Sequence, residues 1–91
     1  MWISLAKTYE KERLWEKALF CYGRAQNMAT ALERRDAVIE VEYRIGHIYL
    51  EQQEHRPALE HFQAARRFAE KEGDQNAIAQ IDAYLSFLET L

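Results

Sequence analysis

Histidine side chains are the first groups in this sequence to consider for metal chemistry. His47 and Glu51 are four residues apart, a spacing at which two side chains on one helix can share a metal ion. His55 and His61 do not share a helix face, and no His-Glu-x-x-His or Cys-x-x-Cys pattern is present. We therefore interpret the histidines as helix-surface residues, and we expect neither a metal site nor a cofactor.

Cys21, the single cysteine, is the main candidate nucleophile. A reactive thiol needs a neighbouring base or cation, and the sequence points to none. It lies three residues after Ala18, on the apolar side of a predicted helix, so we interpret it as a buried core residue. The carboxylates of Glu10, Glu40 and Glu51 are interpreted as solvated helix faces. We predict no catalytic residues and no enzyme. A lone cysteine permits no internal disulfide, which favours a cytoplasmic, intracellular location.

Charge and composition narrow the class of protein. The formal net charge is −3, which argues against a dedicated nucleic-acid binder, because such domains usually carry a basic stripe. No apolar run approaches the length of a membrane span, so no membrane insertion is expected. Good helix formers dominate, and one Pro and three Gly provide few breaks. These features predict an all-α chain.

An apolar pattern recurs after forty residues. The clearest matched pairs are Leu5 and Ile45, Ala6 and Gly46, Tyr9 and Tyr49, Ala18 and Ala58, Tyr22 and Phe62, Ala25 and Ala65, Val41 and Ile81, and Ile45 and Leu85. The spacing of Ala18, Tyr22 and Ala25 is helical, which places small and aromatic residues on one face. Two helices can then approach closely while the ring fills the gap between them.

This pattern predicts five helices joined by short links. The expected spans are about 2–12, 15–33, 36–52, 56–72 and 75–90. Pro57 suits a first helical turn, Gly73 suits a helix C-terminus, and Asp36 and Asp74 suit N-caps. Short links make neighbouring helices antiparallel, so we expect stacked helical hairpins. The single module over 1–91 divides into a first repeat at about 2–35, a second at about 36–73, and a partial third repeat or capping helix at about 75–90.

The matched residues resemble the tetratricopeptide repeat, whose signature is Trp, Leu, Gly or Ala and Tyr on one helix, then Ala, an aromatic residue and Ala on the next. The first copy matches with Trp2, Leu5, Ala6, Tyr9, Ala18, Tyr22 and Ala25. The second matches with Ile45, Gly46, Tyr49, Ala58, Phe62 and Ala65, but Glu42 replaces the Trp. The long period is similar to that of kinesin light chains and Pins-type scaffolds. The resemblance implies a right-handed stack of antiparallel helical hairpins.

The resemblance also implies that the first helix of each pair lines a concave groove for a protein or peptide partner. Helical spacing directs these residues into it: Ile3, Lys7, Glu10, Glu40, Tyr43, His47, Leu50, Gln80, Ala83 and Phe87. Tyr43, His47, Leu50 and Phe87 would form an exposed strip suited to a peptide or helix. Alternatively, Tyr43 and Phe87 pack on neighbouring helices. A clamp for acidic chaperone tails is not expected, since Lys7 and His47 stand where that clamp has Asn. Non-catalytic protein–protein interaction is the predicted function.

An apolar stripe on the last helix supports a different hypothesis. Ile78, Ile81, Leu85 and Leu88 share one face, whereas terminal helices of repeat stacks normally turn a polar face outward. Either the chain is a fragment of a longer protein, or the stripe mediates self-association into a homo-oligomer. A third hypothesis is the peptide-sensing part of a bacterial regulator.

Overall fold

The computed structural model describes residues 2–90 and is all helical, with short turns between the helices. The five helices are α1 (Trp2–Lys11), α2 (Trp15–Ala31), α3 (Arg35–Glu51), α4 (His55–Glu72) and α5 (Gln75–Glu89). Every end lies within two residues of its predicted position. Each helix contacts the next along the chain, as in a stack of helical hairpins. The all-α prediction is confirmed.

Two apolar clusters form the core, and α3 contributes to both. In the first, the small residues of α1 and α2 surround Tyr22 and meet α3 through Val41, Ile45 and Ile48. In the second, the small residues of α4 surround Phe62 and meet α5 through Ile81, Leu85 and Leu88. The paired rings Tyr22 and Phe62 are both fully buried. At these two ring positions, burial therefore repeats with the forty-residue period of the sequence.

Small residues around Phe62 let α3 and α4 approach closely. A Cβ atom added at Gly46 would lie 3.2 Å from the Phe62 ring. That ring is stacked on Tyr84 at a centroid distance of 5.0 Å and meets Tyr43 edge to face at 5.8 Å. Phe62 is thus held by neighbours on α3 and α5, and the gap beside Gly46 is filled.

Helices α1 to α4 each end in a turn of the same type. Arg13, Glu33, Gln53 and Gly73 have positive φ angles between 56° and 69°, and they are spaced twenty residues apart. In each turn the next residue donates its backbone N–H to the carbonyl five residues back, as Leu14 does to Tyr9 at 2.9 Å. Gly73 is confirmed as a helix end. The three non-glycine residues in this conformation were not predicted.

The two predicted N-caps differ in outcome. The Asp74 carboxylate accepts a hydrogen bond from the Ala77 N–H at 3.1 Å, so this cap is confirmed. The prediction for Asp36 is wrong, because α3 begins one residue earlier and Arg34 occupies the cap position without a side-chain hydrogen bond. Asp36 instead lies in the first turn, where its negative charge interacts favourably with the positive end of the helix dipole.

The apolar stripe of α5 lies inside the core. Ile81, Leu85 and Leu88 are buried against α4, and Ile78 packs on the same cluster. The prediction that these four residues form a bare self-association face is therefore corrected. The sequence pattern showed that the stripe needs a cover, and the preceding hairpin supplies it.

Candidate functional site

Helices α1, α3 and α5 share one face of the molecule. The Lys7 ammonium of α1 lies 2.9 Å from the Glu40 carboxylate of α3. The His47 ring of α3 meets the Tyr84 ring of α5 edge to face, with centroids 5.9 Å apart. The three helices that the sequence placed beside the groove are therefore side by side, with α3 in the middle.

A recess of about 540 Å³ lies between α1 and α3. Its lining is mostly charged: Lys7, Thr8, Glu10, Lys11, Arg13, Trp15, Arg44, His47 and Glu51. Glu40 neutralises Lys7, whereas Lys11, Arg13 and Arg44 form no ion pair with another described residue. The recess therefore has uncompensated positive charge.

A second recess of about 240 Å³ lies between α3 and α5. It is lined by Asp36, Ile39, Glu40, Tyr43, Arg44, Asp74, Ala77, Gln80 and Ile81. Arg44 lines both recesses and is half-buried between them. Its Nε atom is buried and has no hydrogen-bond partner among residues 2–90. An Arg placed this way can hold an anionic or carbonyl group from either recess.

A polar network beneath the first recess joins α1, α2 and α3. The Tyr22 hydroxyl donates a 2.7 Å hydrogen bond to Glu10 Oε1. Glu10 Oε2 lies 3.4 Å from His47 Nδ1, an ion-pair distance that does not make an aligned hydrogen bond. On the other side of the ring, His47 Nε2 is 3.9 Å from Glu51. The Glu10 side chain is largely buried, so its interpretation as a solvated carboxylate is corrected.

This network shifts the pKa values of its members. Contact with the Glu10 carboxylate raises the pKa of His47, although burial opposes the charged ring. Burial acts to raise the pKa of Glu10, but His47, then Tyr22 and Arg44, outweigh it and hold that pKa below its usual value. Burial and then the Glu10 carboxylate raise the pKa of Tyr22. The arrangement thus favours a protonated His47 beside an ionised Glu10.

The structure divides the ten predicted groove residues into four groups. Lys7, Glu10 and His47 line the first recess, and Glu40, Tyr43 and Gln80 line the second. Ile3 and Leu50 are partly buried against the two cores. Ala83 and Phe87 are exposed on α5.

The predicted aromatic strip is only partly exposed. Tyr43 packs edge to face on Phe62 and Tyr84, and burial followed by the Tyr84 hydroxyl raises the pKa of Tyr43 to about 12. Phe87 keeps 52% of its surface exposed. The prediction of a continuous exposed strip is therefore corrected. Tyr43 packs on neighbouring helices, as the alternative prediction had it, whereas Phe87 does not.

Arg44 was missed by the sequence reasoning, although a signal was present. Glu40, Arg44, His47 and Glu51 follow each other at intervals of four, three and four residues, which is one helix face. The groove prediction included Tyr43, His47 and Leu50 of α3 but omitted Arg44, which lies between them in the sequence.

Other predicted chemistry can be compared with the described residues. Cys21 is buried in the first core, which confirms its packing role. Within residues 2–90 no group of three or more His, Cys, Asp or Glu is arranged to hold a metal ion. None of the described helices combines the length and hydrophobicity needed to cross a lipid bilayer.

Comparison with protein-family models, with curated proteins and with solved structures gives no match to this chain. The resemblance to the tetratricopeptide repeat rests on the residues of the chain itself.

Proposed function

We propose that this chain is a tetratricopeptide-like module that binds a peptide or helix of a partner protein on the face made by α1, α3 and α5, without catalysing a reaction. The observation that carries the proposal is the pair of recesses that meet at Arg44. Together they run across three helices, a span that suits an extended or helical segment better than a small molecule.

Support for the repeat itself comes from paired burial. Ala18 and Ala58 are both fully buried, as are the rings of Tyr22 and Phe62. The four αL turns add a second, independent period of twenty residues in the backbone. Side-chain packing and turn geometry thus repeat together, as expected for stacked copies of one hairpin.

The charges of the face suggest which segment fits. The first recess offers Lys11, Arg13 and Arg44 without carboxylate partners among the described residues. The exposed Phe87 lies two helical turns after Gln80 of the second recess, on the same side of α5. A partner with a carboxylate for the first recess and an apolar side chain near Phe87 would complement both.

Affinity capture with matched variants tests this proposal. The groove variant is Lys11→Glu with Phe87→Ala, and the control is Lys71→Glu with Leu32→Ala. Lys11 and Lys71 both lie in the last turn of a helix, so charge reversal there disturbs the helix dipole equally. Leu32 and Phe87 are both more than half exposed, so neither truncation opens a cavity.

The expected result is a protein retained by the unmodified chain and the control but lost from the groove variant. Its binding segment, made as a peptide, should then bind more weakly as salt is raised, because the recess is cationic. Retention of the same proteins by both variants would contradict binding on this face.

The hypothesis of a peptide sensor from a bacterial regulator concerns the same face and stays a prediction. It differs in the partner, which would be a short free peptide rather than a segment of a folded protein. The apolar stripe of α5 does not support self-association, because Ile81, Leu85 and Leu88 are covered by α4.

A further inference from the structure

An exposed apolar surface lies on the first hairpin, on residues that line neither of the Arg44 recesses. We define it as the N-terminal face, made by Trp2, Leu5, Phe20 and Met28. The rings of Trp2 and Phe20 meet edge to face with centroids 6.2 Å apart. Two recesses of about 390 and 550 Å³ open on this surface, and both are lined by Trp2 and Leu5. Leu5, Phe20 and Met28 are each more than 40% exposed.

The forty-residue period shows what covers the same position elsewhere in the chain. Leu5 is 42% exposed, whereas its counterparts Ile45 and Leu85 are 5% and 8% exposed. Ile45 belongs to the cluster that contains the small residues of α2, and Leu85 to the cluster that contains those of α4. At Ile45 and at Leu85, the residue is therefore covered by the second helix of the preceding hairpin. At Leu5 the same position is exposed.

The second helix of the hairpin shows the same contrast. Met28 corresponds to Phe68 of α4, which is partly buried. Phe68 lines a recess together with Ala29 and Thr30 of α2. In the second hairpin, the counterparts of Leu5 and Met28 both contact α2. A helix with small residues on its contact side would therefore fit against the first hairpin in the same way.

Glu16 and Lys17 both line the smaller recess, and the two cations at the edge of the N-terminal face indicate the polar part of that helix. The Lys17 ammonium lies 5.7 Å from the Tyr9 ring centre, and the Arg24 guanidinium lies 5.2 Å from the Phe20 ring centre. Neither cation forms an ion pair with a carboxylate among the described residues. Both are held at the edge of the apolar surface, where carboxylates of a bound helix can reach them.

A second copy of the chain does not supply such a helix. The small-residue faces of α2 and α4 are already covered by α3 and α5. Two N-terminal faces placed together across a twofold axis would also oppose Lys17 and Arg24 with cations of the same kind. The helix must therefore come from outside residues 2–90, and the cations at the edge of the face favour a partner that carries carboxylates.

We propose that the N-terminal face binds an amphipathic helix of another protein, with small apolar residues on its contact side and carboxylates opposite Lys17 and Arg24. The contact would repeat the contact that α2 makes with α3 and that α4 makes with α5. None of the four residues that define this surface lines an Arg44 recess, so the proposal does not depend on the function proposed above.

Two labelled peptides of residues 54–74 are suitable probes, because α4 is the helix that covers Leu85. One peptide keeps the natural sequence, and the other carries Arg66→Glu and Arg67→Glu to place carboxylates on it. Each is titrated with the intact chain, and binding is followed by fluorescence anisotropy. The expected result is tighter binding of the acidic peptide, with a preference that shrinks as salt is raised.

Matched variants of the chain locate the binding surface. Leu5→Glu should weaken binding of the acidic peptide by about tenfold or more, because it places a charge under the apolar contact. Leu32→Glu, at an exposed leucine outside the face, should leave affinity unchanged. If circular dichroism shows that Leu5→Glu impairs folding, Met28→Glu replaces it.

Three results would overturn the proposal. The first is the absence of binding by both peptides, and the second is unchanged affinity in the Leu5→Glu and Met28→Glu variants. The third is a dimer of the unmodified chain in light scattering that Leu5→Glu abolishes, since a second copy would then be the occupant.

Discussion

Replacement of Gln53 by glycine is expected to stabilise the protein, although it removes a side chain. Gln53 follows α3 with a φ angle of 61°, in the left-handed region that disfavours residues with a Cβ atom. Its backbone N–H donates to the Leu50 carbonyl at 2.9 Å, and Glu54 N–H donates to Tyr49 at 2.8 Å. The turn is thus held by hydrogen bonds that glycine keeps.

Two opposing effects set the magnitude. The left-handed conformation costs a residue with a Cβ atom about 1–2 kcal/mol, and glycine removes this cost. Glycine also gives the unfolded chain more freedom, which costs about 0.4–1 kcal/mol. Gln53 is exposed, so little contact energy is lost. The net expectation is a gain of about 0.5–1 kcal/mol, or a rise in Tm of roughly 2–8 °C for a domain of this size.

The neighbouring residue provides a matched control. Gln52 is also an exposed glutamine, but its φ and ψ angles are −85° and 3°, where a Cβ atom is not strained. Gln52→Gly should therefore destabilise the protein by about 0.5–1 kcal/mol. Urea unfolding followed by circular dichroism measures both variants, with the midpoint expected to move in opposite directions at an unchanged m-value.

The same reasoning applies to the other turns. Arg13→Gly and Glu33→Gly should each stabilise the protein, and their effects should add to that of Gln53→Gly because the turns share no partner. Gly73→Ala should destabilise it by about 1 kcal/mol. If Gln53→Gly and Gln52→Gly lower the urea midpoint equally, the strain assigned to these turns is refuted.

Three further predictions concern the core and the polar network. The Glu10–His47 pair should contribute most to the free energy of unfolding between pH 4.5 and 6.5. The pKa of His47 is raised, so its stabilisation is lost above that window. The pKa of Glu10 is lowered, so its stabilisation is lost below that window. His47→Gln should therefore reduce the difference in unfolding free energy between about pH 5.5 and about pH 8.5, as measured by urea unfolding. Tyr22→Phe keeps the ring and removes the hydrogen bond to the ionised Glu10, so a loss of about 1.5–3 kcal/mol of unfolding free energy is expected. A loss near zero would show that the bond is dispensable. Phe62→Ala should lower the free energy of unfolding by about 3–5 kcal/mol or prevent folding. Near-UV circular dichroism and urea unfolding measure this effect. A loss below about 1 kcal/mol would mean that the rings of Tyr43 and Tyr84 close the cavity.

The sequence was sufficient for the helices and for most of the core. Residues such as Ala18, Tyr22 and Ala58 follow a helical spacing within each copy, and the spacing specifies which face is buried. Gly73 and Asp74 marked a helix end and the next start by their own backbone and hydrogen-bonding chemistry. These signals are local, so they can be read without knowledge of any neighbour.

The candidate site was only partly predictable. Lys7, Glu10 and His47 were placed on the correct face, because helical spacing specifies direction. That Glu10 is held by Tyr22 and lies beside His47 depends on how α1 meets α2 and α3. Helix crossing positions follow from packing across the core, and no local pattern reports them.

The sequence by itself determined which residues of each helix are apolar and where each helix stops. The tertiary structure decided which of those apolar surfaces is covered. The forty-residue period of the sequence matches Leu85 with Leu5, yet α4 covers Leu85 and no described helix covers Leu5. The physical reason is that hydrophobic patterning is a property of one helix, whereas burial is a property of a helix and its neighbour.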